Sequence, residues 1–313
     1  MLPEIRQTTA AADLHWLLTS PSLLTPASLP ADALAGDAAL GEAWWGALDR
    51  TALLPGLAAL PAVGLGYRLG RYAEDLMRLA LIHLPGHDLL ASQLAVREAG
   101  RSLGEYDFLL RPPAGRVWHI ELAVKFYLAL PDTQGPFLVG PGLHDALSLK
   151  LARLLHHQLQ LPHTAAGQAA LDGMGPVQAM PWLRGRMFYR EPLSPAPAML
   201  ATDHLRGWWR CWGEAWPQTR PDSLWCGLPK RLWLAPQQAD GDAQSLDGLR
   251  AQLAQHFAAS ARPVMVAEYA PLAAGGQELA RGMVLPAGWP EADSLRQLRR
   301  KVAETPGAAA LGF

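Results

Sequence analysis

Two cysteines in 313 residues are too few for a disulfide framework, and Cys211 and Cys226 have none of the spacings of a zinc site. A reducing, cytoplasmic setting is the expectation. Long apolar runs are missing too. No window reaches the ~18 unbroken apolar residues of a membrane span. ALLPGLAALPAVGLGY comes nearest, and its prolines and glycines interrupt it. The opening MLPEIRQTTAAADLHWLL carries an early acid and no continuous apolar core, so it does not read as a signal peptide. No membrane partner is expected. Net charge is nearly absent, at -1 with a pI near 6.8, so a nucleic acid would have to be met by a local patch. The chain also lacks a Gly-x-Ser-x-Gly elbow, a His-Glu-x-x-His pair and a deaminase signature. GLGYRLG has no Walker lysine and follows no clear strand, so no phosphate loop is expected there.

What is present is material for a core. Half the residues are hydrophobic and 18% are charged, a composition too apolar for disorder. The length suits one large domain or two modest ones. Three regions follow from composition and periodicity. Residues 1–65 read as an N-terminal helical cap of short pieces, AADLHWLLTS and AALGEAWWGALDR among them, punctuated by prolines. Residues 66–160 read as helix, three strands, helix. LGYRLGRYAEDLMRLALIHL has helical spacing. LLASQLAVREA, GEYDFLLR and RVWHIELAVKFYLAL are strands, the last two joined by a hairpin-type RPPAG loop. GPGLHDALSLKLARLLHHQLQL is again helical. Residues 161–313 form a Trp-rich C-terminal α/β region packed on that core, with eight of the twelve tryptophans. Its strand candidates are GRMFYR, KRLWLAP, RPVMVAEYA and RGMVLPAGW, and LDGLRAQLAQHFAAS is a helix. The fold class is α/β, or α+β if the strands are antiparallel.

The third core strand carries the sharpest local signal. Side chains alternate along a strand. Trp118, Ile120, Leu122, Val124 and Phe126 share one apolar face. His119, Glu121, Ala123, Lys125 and Tyr127 share the other, which holds every polar group. A central strand would oblige Glu121 to find a partner or a metal. An edge strand with one wet face would give the same pattern.

The order LGRYAEDLMRLALIHL…GEYDFLL…VWHIELAVKFYLAL resembles the nuclease core of the PD-(D/E)xK superfamily over residues 66–160. More of the chain resembles a bacterial domain-of-unknown-function family, number 1853, assigned to that superfamily. ELAVKFYL, GPGLHDALSLKLARLLHHQL, GRMFYR and LAPQQ carry that likeness. The resemblance implies a metal-dependent phosphodiester hydrolase acting on DNA, with RNA the second choice. Asp107 would be the metal-binding acid of the second strand, Glu121 the second carboxylate and Lys125 the lysine assisting the attacking water. Glu74 would complete the metal site from the first helix. Such hard oxygen ligands suit Mg²⁺ or Mn²⁺. The superfamily motif has its acid two residues before the lysine, where this chain has Ala123. Either the acid has moved along the strand to Glu121, or the fold persists as a catalytically silent binding or interaction module.

Other candidates are His119, which can reach substrate or a carboxylate, and Lys150 and Arg153, which can contact phosphate. Asp145 is expected in the first turn of their helix, where an acid complements the dipole. Arg71, Glu74, Asp75 and Arg78 can also pair with one another on a wet helix face. Residues 181–231 hold eight Lys/Arg against four Asp/Glu and six tryptophans, a mixture that can grip single strands. The spacing of Trp208, Trp212 and Trp216 reads instead as a helical core stripe.

Overall fold

The computed structural model describes residues 2–61, 67–132, 135–191, 196–217, 220 and 222–311. Gly64 and Gly66 of the GLGYRLG segment lie outside them. The chain forms two compact units. One is Met1–Lys125, Leu151–Gly185 and Ala198–His204; the other is Phe126–Lys150, Arg186–Pro197 and Leu205–Phe313.

The first unit begins with helices α1 (Leu2–Thr19), α2 (Ala38–Ala47), α3 (Arg50–Ala59) and α4 (Leu69–Ile82). Their starts follow from local chemistry. Asp37 caps α2 by accepting from Leu40 N at 2.9 Å, and Asp49 caps α3 through Thr51 N and Ala52 N. In α4, Tyr72, Ala73, Leu76, Met77, Ala80 and Leu81 are buried at helical spacing. The opposite face carries ion pairs of Arg71 with Glu74 and Asp75, and of Arg78 with Asp75.

Strands β1 (Asp88–Glu98), β2 (Arg101–Arg111) and β3 (Val117–Leu130) then form an antiparallel meander. Strand β5 (Val177–Tyr189) follows β3 in the sheet order β1-β2-β3-β5, so β3 is flanked on both sides. The edge-strand alternative is therefore overturned. Both faces of β3 are covered. Ile120 is wholly buried, and so are His119 and Glu121 on the polar face, at 0% and 2% exposure.

Arg184 on β5 is also fully buried. Its guanidinium donates to Leu17 O, Leu18 O and Gly36 O at 3.2, 3.0 and 2.8 Å, collecting carbonyls from the end of α1 and the approach to α2. Burial pushes its pKa down to about 9, with Asp37 opposing, which leaves it charged at neutral pH.

The second unit takes the ends of β3 and β5 and adds β4 (Phe137–Val139), β6 (Arg206–Cys211), β7 (Leu224–Leu228), β8 (Val264–Tyr269) and β9 (Glu278–Leu285). The order onward from β5 is β5-β6-β9-β8-β7, with β4 beside β3. The pairs β5/β6 and β6/β9 are parallel, while β9/β8 and β8/β7 are antiparallel. The nine strands with their helices are thus a mixed α/β arrangement. Helices α7 (Leu246–Ala259) and α8 (Ala292–Glu304) belong here.

Three expectations fail in this unit, and a fourth fails just beyond it, in the first. Trp208 lies on strand β6, not on a helix. It packs with Trp225, Leu249, Leu253, Val266 and Val284, while Trp212 and Trp216 lean on that cluster. A spacing of four satisfies strand parity as well as a helical turn, and aromatic density favours the strand. KRLWLAP is no strand either. Lys230–Leu232 is one 3-10 turn, entered from Pro229. Asp145 precedes helix α5 (Leu147–His156) instead of opening it, and it accepts from Tyr127 Oη at 2.8 Å and Ala146 N at 2.9 Å. The helical reading of that segment also ends early, because Gln158–His163 is a 3-10 turn containing Pro162. Among the described residues, no helix is long and apolar enough to cross a membrane.

Candidate functional site

The site grows from an interruption in the meander. The β2–β3 ladder pairs Leu110 with Trp118, Leu109 with His119 and Phe108 with Ile120. One step further, Asp107 stands across from Glu121. There the ladder stops, and Leu122 N donates to the Asp107 carboxylate at 2.9 Å. On the other side, the β1–β2 pairs Ser92–Phe108 and Leu94–Tyr106 bracket Gln93 and Asp107. Gln93 has φ of 53°, left-handed for a non-glycine residue. The Gln93 backbone and the end of the β2–β3 ladder therefore fall along one line, Gln93–Asp107–Glu121, while the β1–β2 register runs through it unbroken. Such irregularities re-aim side chains. The alternation resets across it, so that Tyr106 and Leu109 join one cluster with Val96, Val117 and Leu161.

Glu121 is satisfied by protein groups. Its Oε1 lies 3.2 Å from His119 Nε2 and accepts from Gln158 Nε2 at 3.2 Å. Gln158 also reaches Glu105 O at 3.5 Å, and its Oε1 meets His157 Nδ1 at 2.9 Å. Tyr106 sets its ring perpendicular to the His119 ring, 4.7 Å between centroids. Burial pushes His119 down to about 4, and the nearby Asp107 charge opposes that shift. Burial also raises Tyr106 to about 12.

Glu74 reaches the same line from α4. Its carboxylate accepts from Gln93 Nε2 at 2.8 Å and lies 3.6 Å from Arg71. Burial raises its pKa. Arg71 and Gln93 oppose that rise, and the neighbouring Glu105 adds to it. The fold thus brings Asp107, Glu121 and His119 together and attaches Glu74 through Gln93. Among the described residues, no three or more His, Cys, Asp or Glu side chains group so as to hold a metal ion.

Lys125 is half-buried four residues beyond Glu121, about 13 Å away at ~3.3 Å per residue. Gly185 of β5 presses on it from behind. A Cβ there would collide with the Lys125 carbonyl, and the glycine φ is 150°. Lys150 and Arg153 sit one turn apart on α5, Lys150 half-buried and Arg153 exposed. His119, with no exposed surface, is a partner of Glu121 and faces no solvent. Gln158, Gln93 and Tyr106 are the members that pattern reading passes over. Gln158 stands in the segment LLHHQLQ, but nothing local indicates that it folds back onto β3.

A family model described as domain of unknown function (DUF1853) matches residues 12–285. No curated protein and no solved structure matches the chain.

Proposed function

The chain belongs to the DUF1853 family, a domain of unknown function, and from its own residues we propose that it is a metal-dependent phosphodiester hydrolase of PD-(D/E)xK type. The supporting observation is that Asp107 and Glu121 oppose each other where the β2–β3 ladder opens. That register makes Glu121 the natural partner of Asp107, so the member displaced along β3 is Lys125.

The donor chemistry fits a hard divalent cation. Mg²⁺ is commonly held by one or two carboxylates, with water and substrate phosphate filling its shell. Asp107 and Glu121 would hold Mg²⁺ or Mn²⁺ as a pair of carboxylates; Glu74, joined to their line through Gln93, does not group with them as a third ligand and would act from behind Gln93. Such an ion, when bound, polarises a phosphodiester and acidifies a water. Lys125 would balance charge gathering on the phosphate, and Lys150 and Arg153 would contact the DNA backbone.

The test is cleavage of DNA with Mg²⁺ or Mn²⁺ by wild type, Asp107→Ala and Lys125→Ala. Wild type should cut, and each variant should lose most of the activity. Equal activity in all three would point to a contaminant and reject the mechanism. A second reading, a catalytically silent binding module, draws on the 2% exposure of Glu121 and its bonds to His119 and Gln158. DNA binding without cleavage in any metal would favour it.

A further inference from the structure

We propose that His119 is a positioning residue, whose Nε2–H donates to Glu121 Oε1 and fixes the direction in which that carboxylate is presented. The inference rests on the hydrolase reading above.

The geometry selects the tautomer. Nε2 lies 3.2 Å from Glu121 Oε1, and with Glu121 as the carboxylate that the hydrolase reading requires, two acceptors do not sit together at that distance, so the proton is on Nε2. The other ring nitrogen, Nδ1, is buried and has no hydrogen-bond partner among the described residues. No acceptor therefore competes for the opposite tautomer. The perpendicular Tyr106 ring packs against the imidazole and limits its rotation.

Stability alone does not call for a histidine here. An unpaired buried nitrogen carries an uncompensated desolvation penalty, which an apolar ring of similar shape would avoid. A glutamate, in contrast, has three side-chain torsions and needs to be held if it is to meet a metal in one pose. Hydrogen-bond partners of ligating carboxylates do this in known metal sites.

Two measurements on the full chain test the proposal. The first is the long-range ¹H–¹⁵N spectrum of the wild type at neutral pH. It should show His119 protonated at Nε2 and bare at Nδ1; the reverse tautomer overturns the inference without any variant being made. The second is direct Mn²⁺ binding to wild type, Asp107→Ala, His119→Phe and His119→Gln, with thermal midpoints recorded for each. His119→Phe should bind Mn²⁺ about 10–100-fold more weakly. His119→Gln, which keeps an N–H near the ε position, should recover most of that loss. Wild-type affinity in His119→Phe beside a weakened Asp107→Ala rejects the role of His119 and leaves the hydrolase reading standing. Equal Mn²⁺ binding by wild type and Asp107→Ala, or none by either, rejects the hydrolase reading itself, and the metal-linked role of His119 falls with it.

Discussion

Raising the pH should unfold this protein through its tyrosines. All six have pKa values raised first by burial. Three also donate to carboxylates, Tyr67 to Asp75, Tyr72 to Asp13 and Tyr127 to Asp145. Tyr106 and Tyr189 are pushed up to about 12, Tyr67, Tyr72 and Tyr269 higher still, and Tyr127 well above its ordinary value. A folded pKa above the unfolded value of about 10 means that the unfolded chain releases protons first as the pH rises. The stability these groups contribute is therefore complete below pH 10 and is lost above it. With a folded pKa near 12, each buried tyrosine costs about 1.4 kcal/mol of stability at pH 11. Tyr72, Tyr106, Tyr189 and Tyr269, each at about 12 or higher, are buried. Together they withdraw about 5.5 kcal/mol, comparable with the ~5–15 kcal/mol that holds a typical domain. The assay follows tyrosinate absorbance and far-ultraviolet circular dichroism in one alkaline titration. Little tyrosinate should form near pH 10, and the signal should then rise steeply with loss of secondary structure. A smooth titration centred near pH 10 with the fold intact would refute the reasoning.

Three substitutions extend the argument. Arg184→Met withdraws the donors from Leu18 O and Gly36 O, whereas Leu17 O keeps the Trp182 indole N–H at 2.9 Å. A loss of about 3 kcal/mol is expected in urea unfolding; under about 1 kcal/mol would mean that relief of the buried charge dominates. Gly185→Ala drives a methyl into the Lys125 carbonyl at a backbone angle unsuited to alanine. It should cost about 3 kcal/mol or more, and a thermal midpoint like that of wild type would contradict the close approach. Asp49→Ala removes the α3 cap and should cost only about 1 kcal/mol, visible as a small fall in the denaturation midpoint.

Much of the architecture was legible because it is local. Helix α4 and strands β1 to β3 stand where periodicity places them, since one buried face repeats at 3.6 or 2 residues whatever covers it. The same logic misled at Trp208, where a spacing of four serves two periods, and at KRLWLAP, where flanking prolines outweighed strand-forming side chains. At the site, parity joins His119 to Glu121, and the resemblance brings in Asp107. Neither could supply Gln158, which reaches Glu121 from 37 residues away.

The sequence by itself determined the mixed α/β class, the meander and the polar face of β3, because these follow from alternation and apolar spacing along single segments. Only the tertiary structure decided that this polar face is buried. Burial depends on what lies beyond each edge and face, and strand alternation is the same for an edge strand and a central one. The fold also decided which oxygen meets which donor. Asp107 faces Glu121 through strand register, and the ladder opens there because a carboxylate, not a carbonyl, takes the Leu122 N–H. That substitution is a property of two strands together, and neither contains it alone.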